Sequence, residues 1–293
     1  MTNVESIEAQ LRLIREHDPT RPRERGAPAE ASSTADLLTF ARLLADAADR
    51  ITLRYFEKGA EVRTKADGTL VTAADTMVES LLRQAIAERF PSHAVLGEEE
   101  GHTAGSDAEG ARWIVDPVDG THSFARGVPV WATLIACERG GRVEVGVASA
   151  PALGTRWWAA RGLGAYRAAT SGDTGGRRIE VSKRAALGEA QVLFGSYSLL
   201  MERWGERAHR LLLDAWRVRG FGDFWGHCLV AEGSAEVMIE PEVSAWDLAA
   251  TQVIVEEAGG RMTGLDGRAD IDAGHAIITN GLLHDEVLRR LRG

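Results

Sequence analysis

Four acidic groups in this 293-residue chain stand where a short apolar run ends or a helix begins. In WIVDPVDGT, residues 113–121, Asp116 and Asp119 flank Pro117. The proline holds Asp116 extended, so its side chain projects from a strand end. Gly120 permits the positive φ of a tight turn, and Thr121 then opens a helix or turn whose free N–H groups can face an anion. Glu98 follows Gly97 in VLGEEE, where Glu100 reads as solvated charge. Asp247 in SAWDLAATQVIVEEAGG stands at the start of a helix closed by Gly259 and Gly260, and Asp75 in LVTAAD precedes another. Each has a local explanation, since Asp-Pro and Asp-Gly make ordinary turns and Asp is among the best helix N-caps. Together they repeat one placement four times. Hard cations such as Mg²⁺ take oxygen ligands, and two such ions about 4 Å apart can hold the attacking and leaving oxygens of an in-line phosphoryl displacement.

The elements that must position these acids follow from periodicity. Ser33 and Asp36 form a capping box for a helix with Leu37, Ala41, Leu44, Ala48 and Ile51 on one face. GTLVTAAD leads into a helix at about 76–90, ended by Pro91. HAVLG and RWIVDP read as buried strands, and residues 131–149 as a hairpin turned at Gly140 and Gly141. TRWWAARGLGAYR continues the sheet, and 168–177 is a Gly/Thr/Ser loop. Beyond residue 187, strands at 191–195, 235–240 and 275–279 alternate with helices at 198–215, 223–233, 246–258 and 282–291. This pattern gives an α+β lobe over 34–186 and an α/β lobe over 187–293. Residues 1–33, charged and rich in Pro and Ala, read as a flexible extension containing one short helix.

Composition narrows the function. The formal charge of −9 argues against binding a nucleic-acid backbone. No apolar run approaches the ~20 residues that span a bilayer, and the polar start lacks a secretion signal, so a cytoplasmic location is expected. Cys137 and Cys228 form no CxxC pair, which excludes a disulfide scaffold or zinc site. No P-loop or GxSxG elbow occurs.

GEE, DPVDGT and WDLAATQVIVEEAGG resemble, in order and spacing, the motifs of the inositol monophosphatase superfamily of magnesium-dependent, lithium-sensitive phosphatases. KADGTLVTAAD, RGVPVWATLIA and the FGDFWGHCLVAEG segment are similar to its histidinol-phosphate phosphatase branch of actinobacterial type. The resemblance covers roughly residues 36–292. It implies a layered αβαβα sandwich and a phosphomonoesterase acting on a small phosphorylated metabolite, histidinol phosphate in histidine biosynthesis. By resemblance, Glu98, Asp116, Asp119, Asp247 and the Val118 carbonyl ligate two or three Mg²⁺ ions, with Mn²⁺ as a substitute. Thr121 and Asp75 orient and deprotonate the attacking water, the amides of Gly120 and Thr121 hold phosphate, and Gly222, Asp223 and Glu240 meet the esterified group. Homodimers are common in this family.

An acid at Asp223, where inositol-specific members carry a small hydroxyl or apolar residue, suits a cationic ligand; the same aspartate at the start of a helix is also an N-cap. The chain departs from the family at His122-Ser123, where Asn, or Lys-Asn in the histidinol-phosphatase branch, is usual. That departure keeps an inositol or sugar phosphate as the rival substrate. A non-catalytic protein that binds phosphorylated ligands is a further alternative, although such proteins usually have broken ligand sets. Trp157, Trp158, Trp204, Trp216 and Trp225 are expected in packing. His227 is expected in the core or at an interface, with a place beside the alcohol pocket as its alternative.

Overall fold

A computed structural model describes residues 6–20, 32–59, 62–65, 68, 70–106, 110–170 and 175–293. Its helices are α1 (Ile7–His17), α2 (Thr34–Lys58), α3 (Ala73–Arg89), α4 (Thr121–Ala125), α5 (Tyr197–Asp214), α6 (Asp223–Ala231), α7 (Ala245–Glu257) and α8 (His284–Arg292). The first strands are β1 (Val62–Thr64), β2 (Leu70–Thr72), β3 (Ala94–Gly97), β4 (Gly101–Thr103), β5 (Arg112–Asp119), β6 (Ala132–Arg139), β7 (Arg142–Ala150), β8 (Thr155–Ala160), β9 (Gly164–Ala169) and β10 (Arg177–Ile179). The last five are β11 (Gln191–Phe194), β12 (Arg217–Arg219), β13 (Val237–Glu240), β14 (Arg261–Thr263) and β15 (Ala276–Thr279).

β5 and β6 are apolar on both faces because helices cover both sides of their sheet. That eight-stranded sheet runs β10-β9-β8-β7-β6-β5-β3-β4, and a second sheet runs β12-β11-β13-β15-β14. Helices α1, α2 and α3 bury Leu11, Phe40, Leu44, Leu81 and Ile86 against one face of the large sheet. α6 and α7 fill the space between the sheets with Phe224, Leu248, Val253 and Ile254. Beyond the small sheet, α5 and α8 pack through Leu200, Trp204, Leu211 and Val287. The order is therefore helices, sheet, helices, sheet, helices: the αβαβα sandwich.

Two local features set the depth and ends of these layers. A Cβ at Gly146 on β7 would lie 2.3 Å from the Ala250 carbonyl oxygen of α7, so that helix rests directly on the strand backbone. The expected capping box forms at α2, and two more form at the helices that carry cleft acids. Ser33 and Asp36 cap α2, and Thr72 and Ser244 form boxes with Asp75 and Asp247 at the third positions of α3 and α7.

The N-terminal extension departs from the sequence reading. Ile7–His17 is not loose: Leu11 and Ile14 are buried against α2 and α3. Arg15 bonds Glu88 at 2.7 and 2.9 Å, and Arg89 bonds Asp18 at 3.2 Å. The apolar stripe of one three-turn helix suffices once α3 supplies ionic partners. Of the rest of the expected extension, 1–5 and 21–31 lie outside the described residues. Of the tryptophans, Trp157, Trp158 and Trp204 are buried, and Trp225 packs partly against Phe221. Trp216 differs, being 61% exposed with the Arg217 guanidinium over its ring, because it stands in the turn leading to an edge strand.

Candidate active site

A cleft of about 540 Å³ opens where β5, α4, α6 and α7 converge. The register of β5 against β6 breaks between Asp116 and Asp119. The break holds because the Asp116 carboxylate accepts the Val118 N–H at 2.9 Å and the Thr133 hydroxyl donates to the Pro117 carbonyl at 2.8 Å. Both aspartates then face the same side. Asp247 reaches them from the first turn of α7, and the three carboxylates bring oxygens within 4.8 Å of one another.

Such a set is unstable as free anions. Burial raises the Asp116 and Asp119 carboxyls well above the usual range, and their acidic neighbours raise them further. Asp247 is pushed up to about 6, by burial first, while its capping bond from the Ser244 N–H pulls the other way. Three buried carboxylates this close to one another require protons or a cation among them. Oxygen-only donors in a buried cluster fit a hard divalent cation.

Glu98 lines the same cleft but lies apart from that trio, its carboxylate held by Lys65 Nζ at 2.9 Å. Lys65 also holds Glu99 at 2.6 Å. The loop that presents Glu98 is fastened from below by Glu79, which is fully buried and accepts the N–H groups of Glu99 and Glu100 at 2.7 and 2.9 Å. The Glu79 carboxylate fits because Gly97 has no side chain, a Cβ there falling 2.3 Å from it.

Asp75 is buried at the start of α3, with one carboxylate oxygen occupied by the Thr72 N–H and hydroxyl. Its other oxygen is 3.5 Å from Thr121 Oγ1, which donates to the Val118 carbonyl at 2.9 Å. Burial raises the Asp75 carboxyl, which favours a proton acceptor over a spectator charge.

Asp223 and Glu240 line the same cleft, Asp223 beside Asp119 and Gly120. Asp223 has φ +56, the one positive value at a non-glycine position among the described residues. It is not the N-cap its position allowed. Gly222 occupies that place without a side-chain bond, and the Phe224 N–H is taken by Asp119 at 2.7 Å. Strain of this type is kept only where surrounding structure enforces it, and it concentrates at ligand sites. Gly222 packs against Gly195, which in turn lies under the Glu240 carboxylate. Glu240 is raised well above its ordinary range by burial and by Asp223.

A profile described as the inositol monophosphatase family matches residues 34–293. The chain belongs to that family. It is 49% identical over 262 residues to a histidinol-phosphatase of Mycobacterium tuberculosis, covering 87% of this chain and 98% of the relative. Its identity to a histidinol-phosphatase of Streptomyces coelicolor is 44%, covering 86% of this chain and 96% of that one. Among solved structures, a Thermotoga maritima IMPase superposes with a TM-score of 0.77 at 30% identity, covering 88% of this chain and 97% of that one. The inositol monophosphatase of Anabaena gives 0.75 at 29%, over 89% and 97%. The inositol monophosphatase family match begins at α2, so α1 lies outside it.

All the acids singled out from sequence border this one cleft or touch its lining, Asp75 doing so through Thr121. Lys65, Glu79 and Glu99 have no role in the sequence reading, although Lys65 and Glu99 stand in the KADGTLVTAAD and GEE motifs. Lys65 stands with Arg63 in a polar stretch that marks neither as a cleft residue, and the link from Glu79 to the 99–100 amides spans about twenty residues with no periodic signal. His227 lines the cleft, the alternative named for it above.

Proposed function

We propose that this protein is a Mg²⁺-dependent phosphomonoesterase that releases phosphate from L-histidinol phosphate. The observation that carries the proposal is that one cleft holds two acidic sets side by side. The Asp116, Asp119 and Asp247 trio suits a divalent cation, and Asp223 with Glu240 suits a cationic leaving group. Histidinol carries an ammonium and an imidazole that protonates near neutrality, whereas an inositol is neutral. The 49% identity to a histidinol-phosphatase supports the same choice.

In this reading Asp116, Asp119, Asp247, Glu98 and the Val118 carbonyl would hold Mg²⁺, with Mn²⁺ as a substitute. The cation supplies Lewis-acid stabilisation of phosphoryl charge and acidifies water. The chain's own part is to hold and move a proton. Thr121 Oγ1, placed between Asp75 and the Val118 carbonyl, orients the attacking water; with that carbonyl given to the cation, the hydroxyl hydrogen turns to Asp75, which takes the proton through it. The Gly120 and Thr121 amides face the phosphate at the opening turn of α4. Gly222, packed on Gly195, sets the backbone that presents Asp223 to the leaving group, and Asp223 and Glu240 accept the leaving group's N–H donors. A charge-assisted hydrogen bond there contributes about 1.5–3 kcal/mol, enough to favour the cation over a neutral cyclitol by tenfold or more.

Phosphate release from L-histidinol phosphate and from myo-inositol 1-phosphate, measured side by side with Mg²⁺, tests the reading. Histidinol phosphate is expected to show the higher kcat/KM, with activity lost in EDTA and restored by Mg²⁺. A higher value for the inositol ester would overturn the substrate assignment.

A further inference from the structure

Behind the leaving-group end of the cleft sits an imidazole that the chemistry above leaves unused. His227 is 1% exposed and lines the cleft beside Glu240. Its Nδ1 is 2.8 Å from Thr251 Oγ1. The Thr251 hydroxyl also lies 3.1 Å from the Leu248 carbonyl and 3.3 Å from that of Asp247. Its hydrogen therefore goes to its own helix, and its lone pair takes the Nδ1 proton. The other ring nitrogen, Nε2, is buried and finds no partner in bonding geometry. With Nδ1 carrying the single proton of the uncharged ring, Nε2 is left a bare acceptor.

That bare acceptor lies 3.5 Å from Oε1 of Glu240. Burial lowers the His227 pKa to about 4, so the ring is uncharged at neutral pH. An uncharged ring cannot form an ion pair with Glu240. Asp223 adjoins the Glu240 carboxyl, and the histidine behind it adds no cation and no donor. Asp223, Glu240 and Nε2 are thus acceptors in one region, two of them capable of negative charge. A leaving group that brings both positive charge and several N–H donors satisfies such a set. A neutral ester does not.

We propose that His227 is a positioning residue for substrate selection. Locked by Thr251 as an uncharged acceptor behind Glu240, it keeps Glu240 available to a cationic N–H donor of the leaving group. This rests on the histidinol phosphate reading and names the residue that enforces it.

The experiment compares kcat/KM for L-histidinol phosphate with that for 4-nitrophenyl phosphate, which has no cation, in wild type, His227→Leu and His227→Gln with Mg²⁺. The Leu variant is expected to lose on the order of tenfold or more on histidinol phosphate and less than about threefold on the nitrophenyl ester. His227→Gln, which keeps an acceptor, is expected to retain a larger share of the selectivity. Calorimetric titration with free L-histidinol is expected to show weaker binding in the Leu variant, with orthophosphate binding unchanged. Equal loss on both esters, or no loss on either, would overturn the proposal and leave the substrate assignment standing. Wild-type protein that hydrolyses nitrophenyl phosphate but leaves histidinol phosphate intact would overturn both. His227→Met carries the comparison if His227→Leu does not fold.

Discussion

Asp116→Asn separates what the acidic trio does for chemistry from what it costs in stability. The substitution keeps volume, and its amide oxygen can still accept the Val118 N–H that Asp116 accepts at 2.9 Å. It removes one negative charge from a group whose oxygens lie within 4.8 Å of one another. At an effective dielectric constant near 20, two charges at that spacing repel by about 3.5 kcal/mol. Protons shared among the carboxyls absorb part of this in the cation-free protein. A gain on the order of 1–3 kcal/mol remains, which for a chain of this size raises Tm by roughly 2–5 °C. The cation-bound protein should behave oppositely, because the variant has lost a ligand. Thermal melts in EDTA and in MgCl₂, with phosphate release under the latter condition, measure both effects. The variant is expected to melt higher than wild type in EDTA, to gain less from Mg²⁺, and to lose activity by about a thousandfold or more. A variant that melts several degrees lower in EDTA yet keeps the full Mg²⁺-induced gain would refute the view that these carboxylates are held together for a cation.

Other consequences are open to simple measurement. Asp247, raised to about 6 without metal, must lose its proton to bind a cation, so apparent Mg²⁺ affinity by calorimetry is expected to fall as pH drops from 7 to 5. His284, buried between the hydroxyls of Thr263 and Thr279, has its pKa lowered to about 4, chiefly by burial. Because its folded pKa lies below its unfolded value, the unfolded chain takes the proton first, and stability is lost as pH falls from about 6.5 toward 4. Urea melts of wild type and His284→Gln at pH 7 and pH 5 are expected to show an acid penalty larger in wild type by roughly 2 kcal/mol. Leu11→Ala should cost about 2–3 kcal/mol by loosening α1 from α2 and α3. It should lower Tm with little change in kcat/KM at 25 °C, and a matching loss of activity would show that α1 does more than brace the fold.

Much of this architecture could be read from local pattern, and particular residues show why. Ser33 with Asp36 marked the start of α2 because capping is settled within four residues. The hairpin of β6 and β7 turns at Gly140 and Gly141 as their spacing required. Asp75 and Asp247 posed a choice between helix cap and cleft acid, and the structure shows that each carboxylate caps its helix while facing the cleft region. What stayed hidden depends on partners distant in sequence. The docking of α1 needs Glu88 and the apolar faces of α2 and α3. The fastening of the Glu98 loop needs Glu79 beneath Gly97. The left-handed backbone of Asp223 has no sequence signal, since aspartate is common at helix starts in ordinary geometry.

The bare strand backbone at Gly146 reaches further than its own neighbourhood. Adding a single methyl group there would press on the Ala250 carbonyl at 2.3 Å, and relief requires the helix to rise by about 1 Å. Asp247 rides at the near end of that helix, while Asp116 and Asp119 stay with β5. A Gly146→Ala change would thus pull one carboxylate off its two companions from beneath, without altering any group that meets the ester. Displacements of that size are enough to cost a hundredfold in rate, so the chemistry of the cleft is calibrated in part by an absent side chain on the opposite surface of the helix.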